Sequence, residues 1–170
     1  MHFGARAGRA DARRRDAGDA AEHRRGAATP QMPARRRAFT HLDSGDLDEA
    51  RDALNRARPE DRENLQLPLA RALLLAKEGK AAQARLELDD RVQRWAALVP
   101  YATPWVADVY SELGDTESAL QWLEMAIRNG DRRLAWFRRD PHLARIRSHP
   151  RFGKILALGP AGNSASGPPQ

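Results

Sequence analysis

Residues 106–126 read VADVYSELGDTESALQWLEMA, and this stretch decides the fold. Gly114 and Asp115 divide it into two halves of helix length, in which apolar residues recur at a helical spacing. Ala119 follows five residues after the glycine, and a small side chain there would let two helices approach closely. The stretch is therefore predicted to be two helices joined by a tight turn.

The same arrangement occurs twice upstream. Gly45, Gly79 and Gly114 are 34 and 35 residues apart, and Ala50 and Ala84 follow the first two glycines by the same five residues. A unit of about 34 residues holds two helices and cannot bury its own apolar face, so neighbouring units must stack. The period predicts an all-α fold built from about three stacked helical pairs.

Punctuating residues predict where the helices begin and end. Asp46 is expected to cap a helix, with Glu49 three residues later in capping-box spacing. Pro59 and Pro100 close the first and second pairs, and Gly130 is the expected C-terminal cap of the third. The predicted pairs are 34–43 with 46–57, 66–77 with 81–98, and 102–113 with 116–129.

The two ends of the chain differ from this body in composition. Residues 1–33 are rich in Arg, Ala, Gly and Asp with few large apolar side chains, which predicts a disordered basic arm. Residues 159–170 are rich in Gly, Ser and Pro, which predicts a flexible tail. The predicted folded domain is therefore 34–158.

The net charge of +6 is distributed unevenly. Residues 1–40 carry ten arginines against four acidic residues, and residues 128–170 carry nine basic against two acidic residues. Residues 41–127 carry ten basic and seventeen acidic residues, so the predicted repeat body is acidic. The basic character belongs to the two ends.

No motif of catalysis or metal binding is recognisable. The chain has no cysteine, and its five histidines lie at no metal-ligand spacing. Acidic residues crowd the turn at Gly45, but they lack the spacing of a calcium-binding loop. The sequence also contains no phosphate-binding loop and no nucleophile elbow. We therefore expect no enzyme activity, no cofactor and no metal.

The tryptophans allow two interpretations. Trp95 and Trp122 share helix faces with apolar residues, which favours core packing over a stacking platform for bases. Trp105 is left open between the two. Arginines cluster between residues 132 and 151, where a solvated basic face is favoured over a nucleic-acid site.

The hairpins resemble tetratricopeptide repeats (TPR), with Gly114, Ala119 and Ala126 at the family's small-residue positions. From about residue 131, Asp140-Pro141 and Pro150-Arg151-Phe152 resemble the terminal block of bacterial TPR proteins of signalling pathways. The resemblance covers about 36–158 and implies a right-handed solenoid of about three hairpins with a C-terminal capping segment. Its first helices would line a concave groove.

A groove of this kind implies binding of a protein or peptide. The carboxylate-clamp subclass needs Lys and Asn at positions that do not carry them here, so a basic or mixed-charge partner segment is expected. The residues expected to be exposed in the groove are Phe39, Asp43, Leu73, Lys77, Asp108 and Glu112.

The sequence thus predicts a non-catalytic scaffold for protein–protein interaction. One alternative is a regulatory or sensor segment detached from a larger bacterial signalling protein, and a less favoured one is a nucleic-acid-binding protein that uses the basic ends. No apolar run is long enough for a signal peptide or membrane span, so a cytoplasmic protein without a membrane partner is expected.

Overall fold

A computed structural model of the chain describes residues 32–58 and 64–159. Within these ranges the chain forms nine α-helices and one 3₁₀ turn and no strand, so the all-α prediction is confirmed there. Three predictions concern residues outside these ranges: the disorder of residues 1–33, the flexible tail 159–170 and the role of Pro59. Of these residues the structure describes only 32, 33 and 159.

The helices correspond to the three predicted pairs and a terminal segment. In chain order they are α1 (Ala34–Ser44), α2 (Leu47–Asn55), α3 (Gln66–Lys77), α4 (Ala81–Glu87), α5 (Asp90–Leu98), α6 (Thr103–Glu112), α7 (Thr116–Arg128), α8 (Leu134–Phe137), the 3₁₀ turn (Pro141–Leu143) and α9 (Pro150–Ala157). We call residues 131–158, which contain the last three of these elements, the terminal segment. The first pair is α1 and α2, the second is α3 with α4 and α5, and the third is α6 and α7.

The three glycine turns have one backbone geometry. In each, the residue after the glycine donates its amide to the carbonyl five residues before it: Asp46 to His41 at 2.8 Å, Lys80 to Leu75 at 2.9 Å, and Asp115 to Tyr110 at 2.9 Å. The glycines themselves have φ values of 85°, 76° and 76°. This left-handed backbone conformation is unfavourable for residues that carry a Cβ atom. The turn is therefore repeated as the period predicted.

The alanines at the fixed offset are buried where the helices of each pair meet. Ala50, Ala84 and Ala119 are all fully inaccessible. α1 packs on α2, α3 on α4, and α6 on α7, while α3 also contacts both α1 and α6. The first helices of the three pairs therefore lie next to one another in the order α1, α3, α6.

The second pair departs from the prediction of one helix over 81–98. The chain breaks after Glu87, and α5 begins at Asp90. Asp89 causes a new start because its Oδ1 accepts a hydrogen bond from the amide of Val92 at 2.8 Å, which satisfies a donor in the first turn of α5.

Helix caps are also unequal. Asp46 was expected to cap α2, but its side chain accepts no bond from the helix; its Oδ2 accepts one from the hydroxyl of Ser44 at 2.7 Å. Asp115 does cap α7, since its Oδ1 accepts from the amide of Ser118 at 3.2 Å.

The terminal segment begins after Gly130, where the sequence predicted it, and its last helix, α9, packs on α7. Gly130 has a φ of 94°, and the next amide, of Asp131, donates to Ala126 across it at 3.0 Å. The apolar side chains of α9 are buried in one cluster with those of α7; they are Phe152, Ile155 and Leu156. Among the described helices, none combines the length and the apolar character needed to cross a membrane.

Candidate partner-binding face

The residues predicted to line a groove lie on one face, formed by α1, α3 and α6. Three of them contradict the prediction that they are exposed. Phe39, Leu73 and Asp108 are buried, because helices α1, α3 and α6 pack closely and the terminal segment covers part of the face. These three side chains offer no open surface to a partner.

The other three predicted residues meet around a side chain that the sequence did not single out. Asp43, Lys77 and Glu112 lie at or near the C-terminal ends of α1, α3 and α6, and His142 of the terminal segment lies between them. We call these four residues the histidine cluster. His142 is 2% exposed, so its ring lies inside the protein.

The distances within the histidine cluster are those of a hydrogen-bonded network. Nε2 of His142 lies 3.1 Å from Oδ1 of Asp43, and Nδ1 lies 3.3 Å from Oε1 of Glu112. Nζ of Lys77 donates to that Glu112 oxygen at 3.2 Å and also lies 3.3 Å from Nδ1 of the ring. Two carboxylates thus face one ammonium group and one imidazole.

These contacts shift the pKa values of two members of the cluster, His142 and Glu112. Burial alone lowers the pKa of His142, but hydrogen bonds to Asp43 and Glu112 outweigh it and raise the value to about 9. Burial raises the pKa of Glu112, but the hydrogen bond from His142 and the charge of Lys77 together outweigh burial, so the net shift of this pKa is downward. With both carboxylates ionised and both bases protonated, the cluster has no net charge.

A buried carboxyl group lies beside the cluster. The pKa of Asp108 is raised well above its ordinary value, first by burial and then by the nearby charge of Asp140. Its Oδ1 is buried with no hydrogen-bond partner among the described residues. A neutral, protonated Asp108 is the form that such a site favours.

The backbone of the terminal segment is fixed in the position that presents His142. Oδ1 of Asp140 accepts from the amide of His142 at 3.0 Å, which starts the 3₁₀ turn. The hydroxyl of Ser111 on α6 donates to the carbonyl of His142 at 2.7 Å. The Asp-Pro start was recognisable in the sequence, but the contacts of a histidine two residues later were not.

Aromatic side chains occupy the other end of the face. Phe39 of α1 stacks on Trp105 of α6 with ring centroids 3.8 Å apart, and Tyr101 meets Trp105 edge-on at 5.9 Å. Tyr101 also meets Trp95 at 6.4 Å, and its hydroxyl accepts a bond from Gln66 at 2.9 Å. Tyr101 is 48% exposed, so this aromatic end is open to solvent.

The interpretation of Trp95 and Trp122 as packing residues agrees with their positions. Both are half-buried and lie against the hydrophobic core. Trp105, which the sequence left open, is also half-buried and packs on the core through Phe39. None of the three projects as an isolated platform.

A separate concavity lies away from this face. It has a volume of about 450 Å³, and its walls are α2, α3 and α4. Leu54 and Leu74 form buried parts of its lining, and Leu86 is 78% exposed at its edge. Its charged residues pair with one another, for example Arg71 with Glu87 at 3.3 Å.

Comparisons with known proteins add no assignment. No protein-family model, no curated protein and no solved structure matches this chain. Within the described residues, no group of three or more histidine and acidic side chains is arranged to hold a metal ion. Function must therefore be inferred from the face itself.

Proposed function

We propose that this chain is a non-catalytic protein-interaction module of the tetratricopeptide type, in which helical pairs stack as a right-handed solenoid with a capping terminal segment. A partner peptide or helix binds along the face formed by α1, α3 and α6. The observation that carries this proposal is the packing of α3 against both α1 and α6, which aligns the first helices of three repeated pairs. The same face would serve a regulatory segment of a larger bacterial signalling protein.

The chemistry of the face favours an apolar anchor on the partner over a purely basic one. The charges of the histidine cluster compensate one another, so little net negative charge is left there to attract a basic segment. The aromatic end instead exposes Tyr101 next to Trp105. Tyrosine and tryptophan are enriched among the residues that dominate binding energy at protein interfaces.

The test is capture of binding partners from the source cell with the full chain, as wild type and as Tyr101→Ala. Leu86→Ala is the matched control, because Leu86 is an exposed apolar side chain outside the face. We expect Tyr101→Ala to weaken a specific partner about tenfold or more, as loss of a central aromatic contact does. The Leu86 variant should retain it.

Two results would speak against this assignment. Equal capture by wild type and Tyr101→Ala would remove the aromatic end from the site, and loss of capture only with Leu86→Ala would move the site to the α2–α3–α4 concavity. Circular dichroism of each variant checks that it folds. A charge reversal at Asp108 would be a poor test, because a buried lysine there would disturb folding.

A second candidate function is nucleic-acid binding by the terminal segment. Trp136 is 47% exposed, and Arg132, Arg138 and Arg139 near it are exposed with no ion-pair partner among the described residues. An exposed ring among free guanidinium groups can stack on a base and neutralise phosphates. Binding of a single-stranded oligonucleotide that weakens with salt and is lost in Trp136→Ala would favour this function over the first.

A further inference from the structure

His142 joins parts of the molecule that are far apart in the sequence. Its ring contacts Asp43, near the end of α1 and 99 residues away, and Glu112, at the end of α6 and 30 residues away. Lys77 at the end of α3 closes the network. One buried ring therefore contacts the C-terminal end of all three first helices, and through them links the first pair to the terminal segment.

Two protonation states of this ring would hold the network differently. A neutral ring can donate from Nε2 to Asp43 and accept at Nδ1 from Lys77. It then offers no hydrogen to Glu112. A protonated ring donates from both nitrogens, to Asp43 and to Glu112, and Lys77 donates to the same oxygen of Glu112. Only the protonated ring bonds directly to both α1 and α6.

The charges around the ring favour the protonated state. The ionisable groups that face it are Asp43 from α1, Lys77 from α3, Asp108 and Glu112 from α6, and Asp140 from its own segment. Even with Asp108 neutral, the carboxylates outnumber the single ammonium group. Arg145, 3.9 Å from the second oxygen of Glu112, is at the exposed rim.

We propose that His142 is a proton-operated clasp: as an imidazolium it bonds to Asp43 of α1 and to Glu112 of α6 at once, and when it loses its proton it can donate to only one of them, which releases α1 from α6. The clasp is internal to the chain and needs no partner, so it goes beyond the proposed function. Its consequence for binding is that the polar end of the α1–α3–α6 face keeps its shape only while the ring is protonated.

The direction of the pH dependence follows from the pKa values. His142 has a pKa of about 9 in the folded chain, against an ordinary value of 6.5. Its contribution to stability is therefore fully present below about 6.5 and is lost as the pH rises through about 9. The pKa of Asp108 is also raised, so its effect on stability likewise becomes less favourable as the pH rises. The pKa of Glu112 is lowered, so its contribution to stability is lost as the pH falls.

The decisive measurement is an NMR titration of the His142 ring in the full chain. We expect both ring nitrogens to be protonated at neutral pH and the midpoint to lie at about 9. In Asp43→Asn the midpoint should fall by about one pKa unit, a tenfold loss of proton affinity, because one charged acceptor is gone. The control is Asp90→Asn on α5, an exposed carboxylate outside the cluster, which should leave the midpoint unchanged.

Release is tested separately by amide hydrogen exchange, corrected for its intrinsic pH dependence. Protection in the last turn of α1, near Leu42, should drop through the His142 midpoint, while protection in α7 near Leu123 should persist to higher pH. A neutral ring at pH 7 that accepts a hydrogen bond from Lys77 would overturn the clasp, as would an unchanged midpoint in Asp43→Asn. Constant protection of α1 through the midpoint would overturn release. Because Asp43 is half-exposed, its variant should fold even if a substitution of His142 does not.

Discussion

The second and third helical pairs start from the same turn and end differently. Gly79 and Gly114 have the same φ of 76°, and the amides after them make the same hydrogen bond. Yet α7 runs without a break for thirteen residues, whereas the equivalent stretch of the second pair is divided into α4, with seven residues, and α5, with nine. The turn fixes where a helix starts and does not fix how far it continues.

The residues after the two glycines account for much of this difference. Asp115 accepts a hydrogen bond from the first turn of α7, but Lys80 at the equivalent position carries only donors and cannot cap α4. Asp89 then offers a cap in the middle of the stretch, which stabilises a second start. The repeated glycine and alanine thus determine which helices pair. The polar residues that can cap a helix, Asp115 and Asp89, determine whether the second helix of a pair is continuous or broken.

The largest expected effect comes from removing one leucine in each pair at equivalent positions, Leu123 in α7 and Leu88 after α4. Both are buried. Leu123→Ala should cost about 2–5 kcal/mol of unfolding free energy because α7 is held between α6 and α9 and cannot collapse into the cavity. Leu88→Ala should cost less, because the chain is already broken there and can adjust. Urea unfolding followed by circular dichroism measures both.

Equal losses for the two leucine variants would contradict this distinction between a rigid third pair and an adaptable second pair. Leu86→Ala is the common control. Its side chain is mostly exposed, so its unfolding free energy should stay within about 0.5 kcal/mol of the wild type.

A smaller effect is expected at the glycine turns, and here the two pairs should behave alike. Gly79→Ala and Gly114→Ala each force a Cβ into the left-handed region, at a cost of about 1–2 kcal/mol. Nothing lies within 4 Å of an added Cβ at either position, so the cost comes from the backbone alone. Gly153→Ala is the control: it lies within α9 without a positive φ, and it should stabilise the protein by about 0.4–1 kcal/mol. Different costs at the two turns would show that they are not equivalent in energy.

The sequence predicted the local parts of the fold because they depend on local chemistry. Each glycine turn, the alanine five residues after it and the Asp140-Pro141 start depend on residues a few positions apart, and the structure agrees with all three predictions. The break before Asp90 was missed because an apolar period running from Ala84 to Trp95 fits one helix as well as two. Which one forms depends on a single cap.

The candidate site was less predictable because its contacts are distant in the sequence. Asp43, Lys77 and Glu112 could be assigned to one face from helix order alone. Their meeting point with His142 depends on how the terminal segment folds back onto α6, through Ser111 among others. A search for histidine partners at metal-ligand spacing cannot find a residue whose partners lie 30 and 99 positions away.

The smallest expected effect on the unfolding free energy comes from the helix-capping aspartates. Asp89 and Asp115 accept a hydrogen bond from a helix amide, whereas Asp46 stands at the cap position without accepting one. Asp89→Ala and Asp115→Ala should each cost about 1 kcal/mol, because each leaves a helix amide without its acceptor. Asp46→Ala should cost less than about 0.5 kcal/mol, since its carboxylate bonds to the exposed Ser44 and not to α2. Urea unfolding compares the three, and hydrogen exchange should place the Asp89 effect in α5 alone. A cost at Asp46 equal to that at Asp115 would mean that the first pair is capped as the third is, and the three turns would then differ less than their hydrogen bonds indicate.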